Sequence, residues 1–287
     1  MLARRERILL LVPLALIMLP FLVWPAISGL AYSFTNYAPG QLHLQWVGLA
    51  NYITALKDVS FRAAWRNMLV YLIVSVPVEL VIGFVLSWLL REPFYGRSFV
   101  RILLLVPWLV SPIASGVMWY FLLNLQWGIL NFFRSWFSLP FLPSPLGLTG
   151  LALPVMIATE IWQAAPLAGF LLLPGLLAIP GAEWEYATLE GVSFFQRVRF
   201  LVLPWMRSLI LAVALLLTGS TLGAFDSILI LTGGGPGLAT ITPALYSYQQ
   251  AFQFYYWPQG ATSAWFIVLS VVLVGLAYLS LNRSEEG

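Results

Sequence analysis

The sequence predicts an all-α integral membrane protein, one domain over residues 1–287, with six transmembrane helices and a short cytoplasmic helix between the fourth and fifth. Three observations carry that reading. Charged residues make up 9% of the chain and hydrophobic residues 61%; a soluble domain carries about 25% charged residues and needs them on its surface. Six apolar runs recur, at about 8–34, 67–90, 99–123, 151–177, 201–231 and 261–281, and a helix crosses the hydrocarbon layer with about 20 residues. The basic residues gather at the ends of these runs, where they set topology.

The runs are continuous and lack period-two alternation, which argues against a strand barrel. The first starts after Arg4, Arg5 and Arg7. It is far longer than the apolar part of a signal peptide and no clear A-x-A site follows, so it reads as an uncleaved first helix. The second and third runs flank a basic hairpin with Arg91, Arg97 and Arg101. The fourth is stopped by Pro180-Gly181. The fifth, with Arg207 near one end and Asp226 near the other, reads as one long helix with polar ends. With the N-terminus inside, the cytoplasmic segments hold ten of the 14 basic residues: the six already named before residue 110, then Arg197, Arg199, Arg207 and Arg283. The outer segments hold Lys57, Arg62, Arg66 and Arg134. Both termini are therefore expected in the cytoplasm. His43 reads as a plain external-loop residue.

Composition excludes several chemistries. Cysteine is absent, so there is no disulfide, thiol nucleophile or thiolate metal site. A single histidine excludes a two-His zinc motif. The single lysine, Lys57, follows Leu56, whereas a phosphate-binding P-loop needs glycine before its lysine. No catalytic constellation and no metal or cofactor site is expected in this chain. Any ATP and Mg²⁺ must be bound by a partner. The net charge of +3 is topological and does not indicate nucleic acid.

The loop of about 180–204 carries the most specific pattern. Ala182 to Glu190 can form a short helix with Glu183 and Glu185 near its positive end. Gly191 permits a reversal, Phe194 and Phe195 start a second helical run, and Pro204 marks the start of the fifth span. The short helix offers Trp184, Tyr186 and Leu189 for burial with acidic residues at the rim.

Glu185, Ala187 and Gly191, then nine residues, then Leu201, Leu203 and Pro204 resemble the EAA loop of ABC-importer permeases, in which E-A-A, three residues, G, nine residues and I-x-L-P recur. Tyr186 stands in place of an alanine, Leu201 of an isoleucine, and Glu190 where sugar permeases usually have aspartate. Gly48-Leu49-Ala50-Asn51-Tyr52 followed by Phe61 and Asn67, Gly96 to Arg101 with Pro107 and Trp119, and Phe225-Asp226-Ser227-Ile228 followed by Leu231 to Pro236 resemble the MalF/UgpA-like carbohydrate branch of that family. The resemblance covers nearly the whole chain.

It implies a permease subunit of a binding-protein-dependent, ATP-driven importer for sugars or related solutes, in a bacterial or archaeal plasma membrane. It would form half of the pathway by alternating access. The partners implied are a second, MalG/UgpE-like permease, two ATPase subunits and an extracellular solute-binding protein. The loop helix would dock on an ATPase subunit, with Glu185, Ala187, Glu190, Gly191 and Pro204 as the coupling residues. The resemblance also places Trp108, Glu160, Gln163, Ser220, Thr221 and Ala224 at solute-lining positions. Two of these, Glu160 and Ala224, stand where the resembled site has amides.

Glu79 and Asp226 lie in apolar runs without matching such a position. Intramembrane carboxylates are costly and face protein or a watery cavity. Glu79 is expected to make a structural polar contact between helices, and Asp226 to cap the glycine-rich turn at 233–235. The outer segment Thr232–Gly260, free of charge, reads as a turn followed by an interfacial stretch. A rival reading is a stand-alone proton-coupled transporter working through Glu79, Glu160 and Asp226.

Overall fold

A computed structural model describes residues 18–37, 40, 45–137 and 144–283, with the side chains of 281–283 outside that description. Arg4, Arg5, Arg7, His43, the first ten residues of the expected first span and the side chain of Arg283 lie outside the described residues. Twelve helices run through the rest: α1 Leu19–Ser33, α2 Ala50–Lys57, α3 Val59–Arg91, α4 Arg97–Leu109, α5 Pro112–Leu122, α6 Ile129–Trp136, α7 Thr149–Leu177, α8 Gly181–Leu189, α9 Phe194–Leu222, α10 Asp226–Leu231, α11 Pro243–Tyr248 and α12 Trp257–Arg283. Four of them, α3, α7, α9 and α12, are each long and apolar enough to cross a bilayer. The α4–α5 pair passes the same test only together, and α1 is shorter.

Two expected spans are not single rods. The third bends by 91° between α4 and α5. Val110 and Ser111 are extended, and Pro112 follows; a residue before proline is driven out of the helical region, and proline cannot donate to the preceding turn. The fifth starts earlier than expected, at Phe194, and ends at Leu222. Gly223 and Ala224 fold back through Gly223 N→Ser220 O (3.1 Å) and Ala224 N→Thr221 O (3.0 Å), and Phe225 leaves helical geometry at φ −141° before α10 starts. Glycine is the weakest helix former after proline, and the bonds tighten the last turn into a stop. Helix α10 then packs against α5, where Gly116 brings the two backbones close. Within α9, the π-turn Val198–Val202, closed by Leu203 N→Val198 O, precedes Pro204. The outer segment is partly helical, in α11 and the π-turn Gln249–Gln253.

The chain divides into two compact units, the described part of 1–62 with Tyr246–Val268, and Ala63–Leu245 with the described part of 269–287. In the first unit, Gly48 turns the chain at φ +57° into α2. Asn51 Nδ2 then donates to Ser33 O and Thr35 O at 2.8 Å each, and the Tyr52 and Ser33 hydroxyls meet at 2.8 Å. These bonds satisfy the carbonyls left open at the end of α1. Phe61 meets Tyr246 edge-on and Phe266 at a tilt, with ring centroids 5.6 and 5.1 Å apart.

In the second unit, α3 turns Tyr71, Ser75, Glu79, Gly83 and Ser87 inward, all buried. They are four residues apart and so share one face. Small residues on that face let helices approach closely, as membrane packing requires; Gly83 lies directly on Ala168 and Gly169 of α7. Val76, Ala168, Leu172, Leu176, Val202, Met206, Val213 and Leu217 form the apolar core among α3, α7 and α9. Asn67 Nδ2 donates to Leu238 O (2.8 Å) and Ile241 O (3.0 Å), tying α3 to the segment after the glycine-rich turn.

Candidate functional site

Helices α4, α5, α7 and α9 with the 223–227 break enclose a cavity of about 360 Å³. Its wall includes Trp108 on α4, Glu160 and Gln163 on α7, Ser220 on α9, and Ala224 and Asp226 at the break. Five of the six lining residues inferred from sequence therefore meet in one cavity. The sixth, Thr221, does not line it: the residue is 0% exposed and its hydroxyl has no hydrogen-bond partner among the described residues. Successive helical residues point about 100° apart, so with Ser220 at the cavity Thr221 turns into packing.

The two helix breaks build this wall. Bending at Val110 frees a backbone carbonyl, and Gln163 Nε2 donates to it at 2.8 Å. The amide thus holds the bend in place while its oxygen stays out of that bond. Trp108, two residues before the bend, keeps 46% of its surface exposed. The stop at Gly223 places Asp226 in the first turn of α10 and at the cavity. The expected capping of the glycine-rich turn falls to other groups. Thr240 Oγ1 donates to Gly235 O at 2.7 Å, and the Thr232 and Thr240 hydroxyls meet at 2.8 Å. The sequence signal for a cavity role was Gly-Ala-Phe before an aspartate, a helix stop and restart.

The wall carries two carboxylates and no lysine, arginine or histidine. Carboxylates accept hydrogen bonds, serine hydroxyls both donate and accept, and the indole offers an apolar face. Such a lining suits a solute rich in hydroxyl donors and repels an anion.

Glu79 departs from expectation. It is 0% exposed, and neither carboxylate oxygen has a hydrogen-bond partner among the described residues. The structural polar contact expected of it is not made among the described residues. Glu160, by contrast, accepts from Tyr71 Oη at 3.5 Å.

At the other end of the same unit, α8 follows Pro180 and ends in a Schellman motif. Gly191 N donates to Thr188 O (3.1 Å) and Val192 N to Ala187 O (3.1 Å), with Gly191 at φ +66°. The Ala187–Gly191 spacing is that of the motif, since Ala187 supplies the carbonyl that Val192 reaches after the left-handed turn. Ser193 N then donates to Gln196 Oε1 at 3.0 Å, half of a capping box that starts α9. Glu185 and Glu190 are exposed, Ala187 is half-buried, and Pro204 lies exposed two residues after the π-turn.

One of the three side chains expected to present outward turns inward. The Trp184 ring lies 3.6 Å below the Arg91 guanidinium and 5.9 Å from that of Arg197. It meets Trp88 edge-on at 5.8 Å, and Trp88 in turn meets Phe194 at 5.0 Å. These contacts clamp α8 to the end of α3 and the start of α9. Tyr186 and Leu189 remain outward, 68% and 86% exposed.

Comparison with known proteins places this architecture. No family model matches the chain. The chain is 32% identical over 266 residues to a probable ABC transporter permease protein, y4oQ, of Sinorhizobium fredii, covering 91% of this chain and 85% of that one. It is 30% identical over 284 residues to the trehalose/maltose transport system permease protein MalF of Thermococcus litoralis, covering 96% and 92%. Among solved structures it superposes on a chain of the bacterial alginate ABC transporter in complex with alginate pentasaccharide-bound periplasmic protein, with a TM-score of 0.83 at 20% identity, covering 98% and 95%. At that identity the likeness establishes the fold.

Proposed function

The chain belongs to the ABC-transporter permease family, and from that premise we propose that it forms half of the solute pathway of an importer for neutral, hydroxyl-rich solutes of the sugar class. It is a multi-pass membrane transport subunit and not an enzyme. The observation that carries the solute class is the cavity at Trp108, Glu160, Gln163, Ser220 and Asp226, which offers acceptors and an aromatic face but no cationic side chain. A relative is named for trehalose and maltose, which fits. In the assembled transporter, neutral oligosaccharides are expected to stimulate ATP hydrolysis while sugar phosphates and uronates do not. Equal stimulation by a sugar phosphate would overturn the assignment.

In this reading a second, MalG/UgpE-like permease completes the pathway, two ATPase subunits bind ATP and Mg²⁺, and an extracellular binding protein delivers the solute. The related transporter solved with its periplasmic protein supports the last of these. Six spans, both termini in the cytoplasm and docking of α8 on an ATPase subunit complete the proposal. Tyr186 and Leu189 are the outward apolar contacts, with Glu185 and Glu190 at their rim. Gly191→Val tests the docking. A β-branched residue at φ +66° costs about 1–2 kcal/mol of strain and unwinds the Schellman turn. Solute-stimulated ATP hydrolysis is expected to vanish, and its retention would count against docking through α8. The proton-coupled alternative is disfavoured by the family: its permeases work beside ATPases.

A further inference from the structure

A buried carboxylate without a hydrogen-bond partner among the described residues, Glu79 on α3, lies within electrostatic reach of Glu160 at the cavity wall. Ser75 and Glu79 are each 0% exposed, and neither the Ser75 hydroxyl nor the Glu79 carboxylate has a hydrogen-bond partner among the described residues. Thr221 is the other buried hydroxyl without a partner among the described residues. Ser87, Thr159 and Thr218 all donate to a carbonyl of their own helix, at 2.7–2.8 Å. Tyr71 and Ser75 precede Glu79 at four-residue steps on the same face. Across from them Glu160 lies within electrostatic reach of Glu79 and takes the Tyr71 bond. That bond, at 3.5 Å, is longer than the about 2.7 Å of a closed O–H···O pair.

Among the described residues no positive group forms an ion pair with these carboxylates. From Asn67 to Leu90 on α3, Glu79 is the one charged residue, and on α7 Glu160 is the one charged residue. The facing stretches 102–122 and 208–222 hold none. Buried charges in membrane proteins are paired or bind an ion. The donors here are all oxygens, the ligands that hard cations take. Among the described residues no three His, Cys, Asp or Glu side chains converge, so a divalent metal lacks its usual ligand set.

We propose that Ser75, Glu79 and Tyr71 of α3, with Glu160 of α7, hold one small monovalent cation, Na⁺ or a proton, whose occupancy is linked to solute binding in the neighbouring cavity through Glu160. The ion is a bound ligand of an ATP-driven machine and not its driving force. The linkage rests on the cavity being the solute site; the ion site itself does not.

The experiment has a direct arm and a linked arm. In the first, ²³Na relaxation is measured on the wild-type complex without solute, and competition by protons is followed across pH. In the second, the solute concentration that half-stimulates ATP hydrolysis is compared in Na⁺ and in choline at constant ionic strength, and at low and high pH. A shift of about fivefold is expected, the lower end of ordinary site–site coupling. Dependence on Na⁺ identifies the ion, and dependence on pH alone identifies the proton. Glu79→Gln must abolish either dependence. If that chain does not assemble, Ser75→Ala is read instead and must weaken the Na⁺ response, or leave a pH response that matches wild type if the ligand is the proton. The absence of ion binding in the first arm together with no dependence on either cation in the second overturns the site, as does a dependence that survives Glu79→Gln. Ion binding in the first arm without a shift in the second overturns the linkage alone, leaving the solute class to be judged by the solute panel.

Discussion

A chain carrying Gly83→Leu is expected to lose the packing of α3 on α7 and to yield no stable complex. A Cβ built at Gly83 would lie 2.6 Å from the Ala168 Cβ and 2.8 Å from the Gly169 nitrogen. Both neighbours are short and rigid, so the helices themselves must separate. Overpacking in a core that can adjust costs about 1–3 kcal/mol; here the obstruction is backbone, and leucine adds three more carbons. The same seam holds Ser75 and Glu79, so separation disturbs the buried carboxylates as well. Thermal unfolding in detergent should show a drop of many degrees, with aggregated material in size exclusion. Gly275→Ala is the control. That glycine has open space around it, and alanine is the better helix former by about 1 kcal/mol, so stability should hold or rise. Equal behaviour of the two variants would mean that close approach at Gly83 does not matter.

Trp184→Ala should leave the chain folded and uncouple it. Removing the indole deletes the cation–π contact with Arg91 at 3.6 Å and the edge-on contact with Trp88. A desolvated cation–π pair contributes about 2 kcal/mol, and the half-buried ring adds packing. Helix α8 then keeps its own Schellman turn but loses its hold on α3 and α9. In the assembled transporter the ratio of solute-stimulated to basal ATP hydrolysis is expected to fall at least about fivefold, a loss above 1 kcal/mol of coupling. Trp184→Phe should restore part of the ratio because it keeps an aromatic face. Arg91→Lys should restore less than wild type, since guanidinium stacks on a ring better than ammonium does. A wild-type ratio in Trp184→Ala would show that α8 needs no clamp.

These two residues also show what a sequence reveals. The apolar runs, their basic ends and the Pro180–Gly191 punctuation are local signals, and the helices Thr149–Leu177 and Gly181–Leu189 fall where those signals put them. The breaks at Ser111–Pro112 and Gly223–Phe225 were present as residues, but apolar side chains on both sides made each run look continuous. Breaks of this kind turn Trp108 and Asp226 toward a common space, so Asp226 could not be assigned without them. Trp184 was grouped with Tyr186 and Leu189 as the apolar side chains of one short amphipathic helix; its direction depends on Trp88 and Arg91, nearly a hundred residues earlier. Thr221 shows the reverse limit. A motif names neighbouring positions together, while a helix separates them by about 100°. The Gly83 seam was legible only as a small residue in an apolar run, because its meaning lies in Ala168 and Gly169.

In the proposed function, the cavity bounded by Trp108, Glu160 and Asp226 is this chain's share of a solute path opened alternately by ATP. The chain has no cysteine, so Ser220→Cys introduces a unique thiol at the cavity wall. In sealed proteoliposomes of the assembled transporter, labelling by a membrane-impermeant thiol reagent is measured from each side, with and without ATP and vanadate, and with and without transported sugar. The accessible side is expected to change with the nucleotide state, and sugar is expected to slow labelling. Labelling that is independent of nucleotide and of sugar would contradict it.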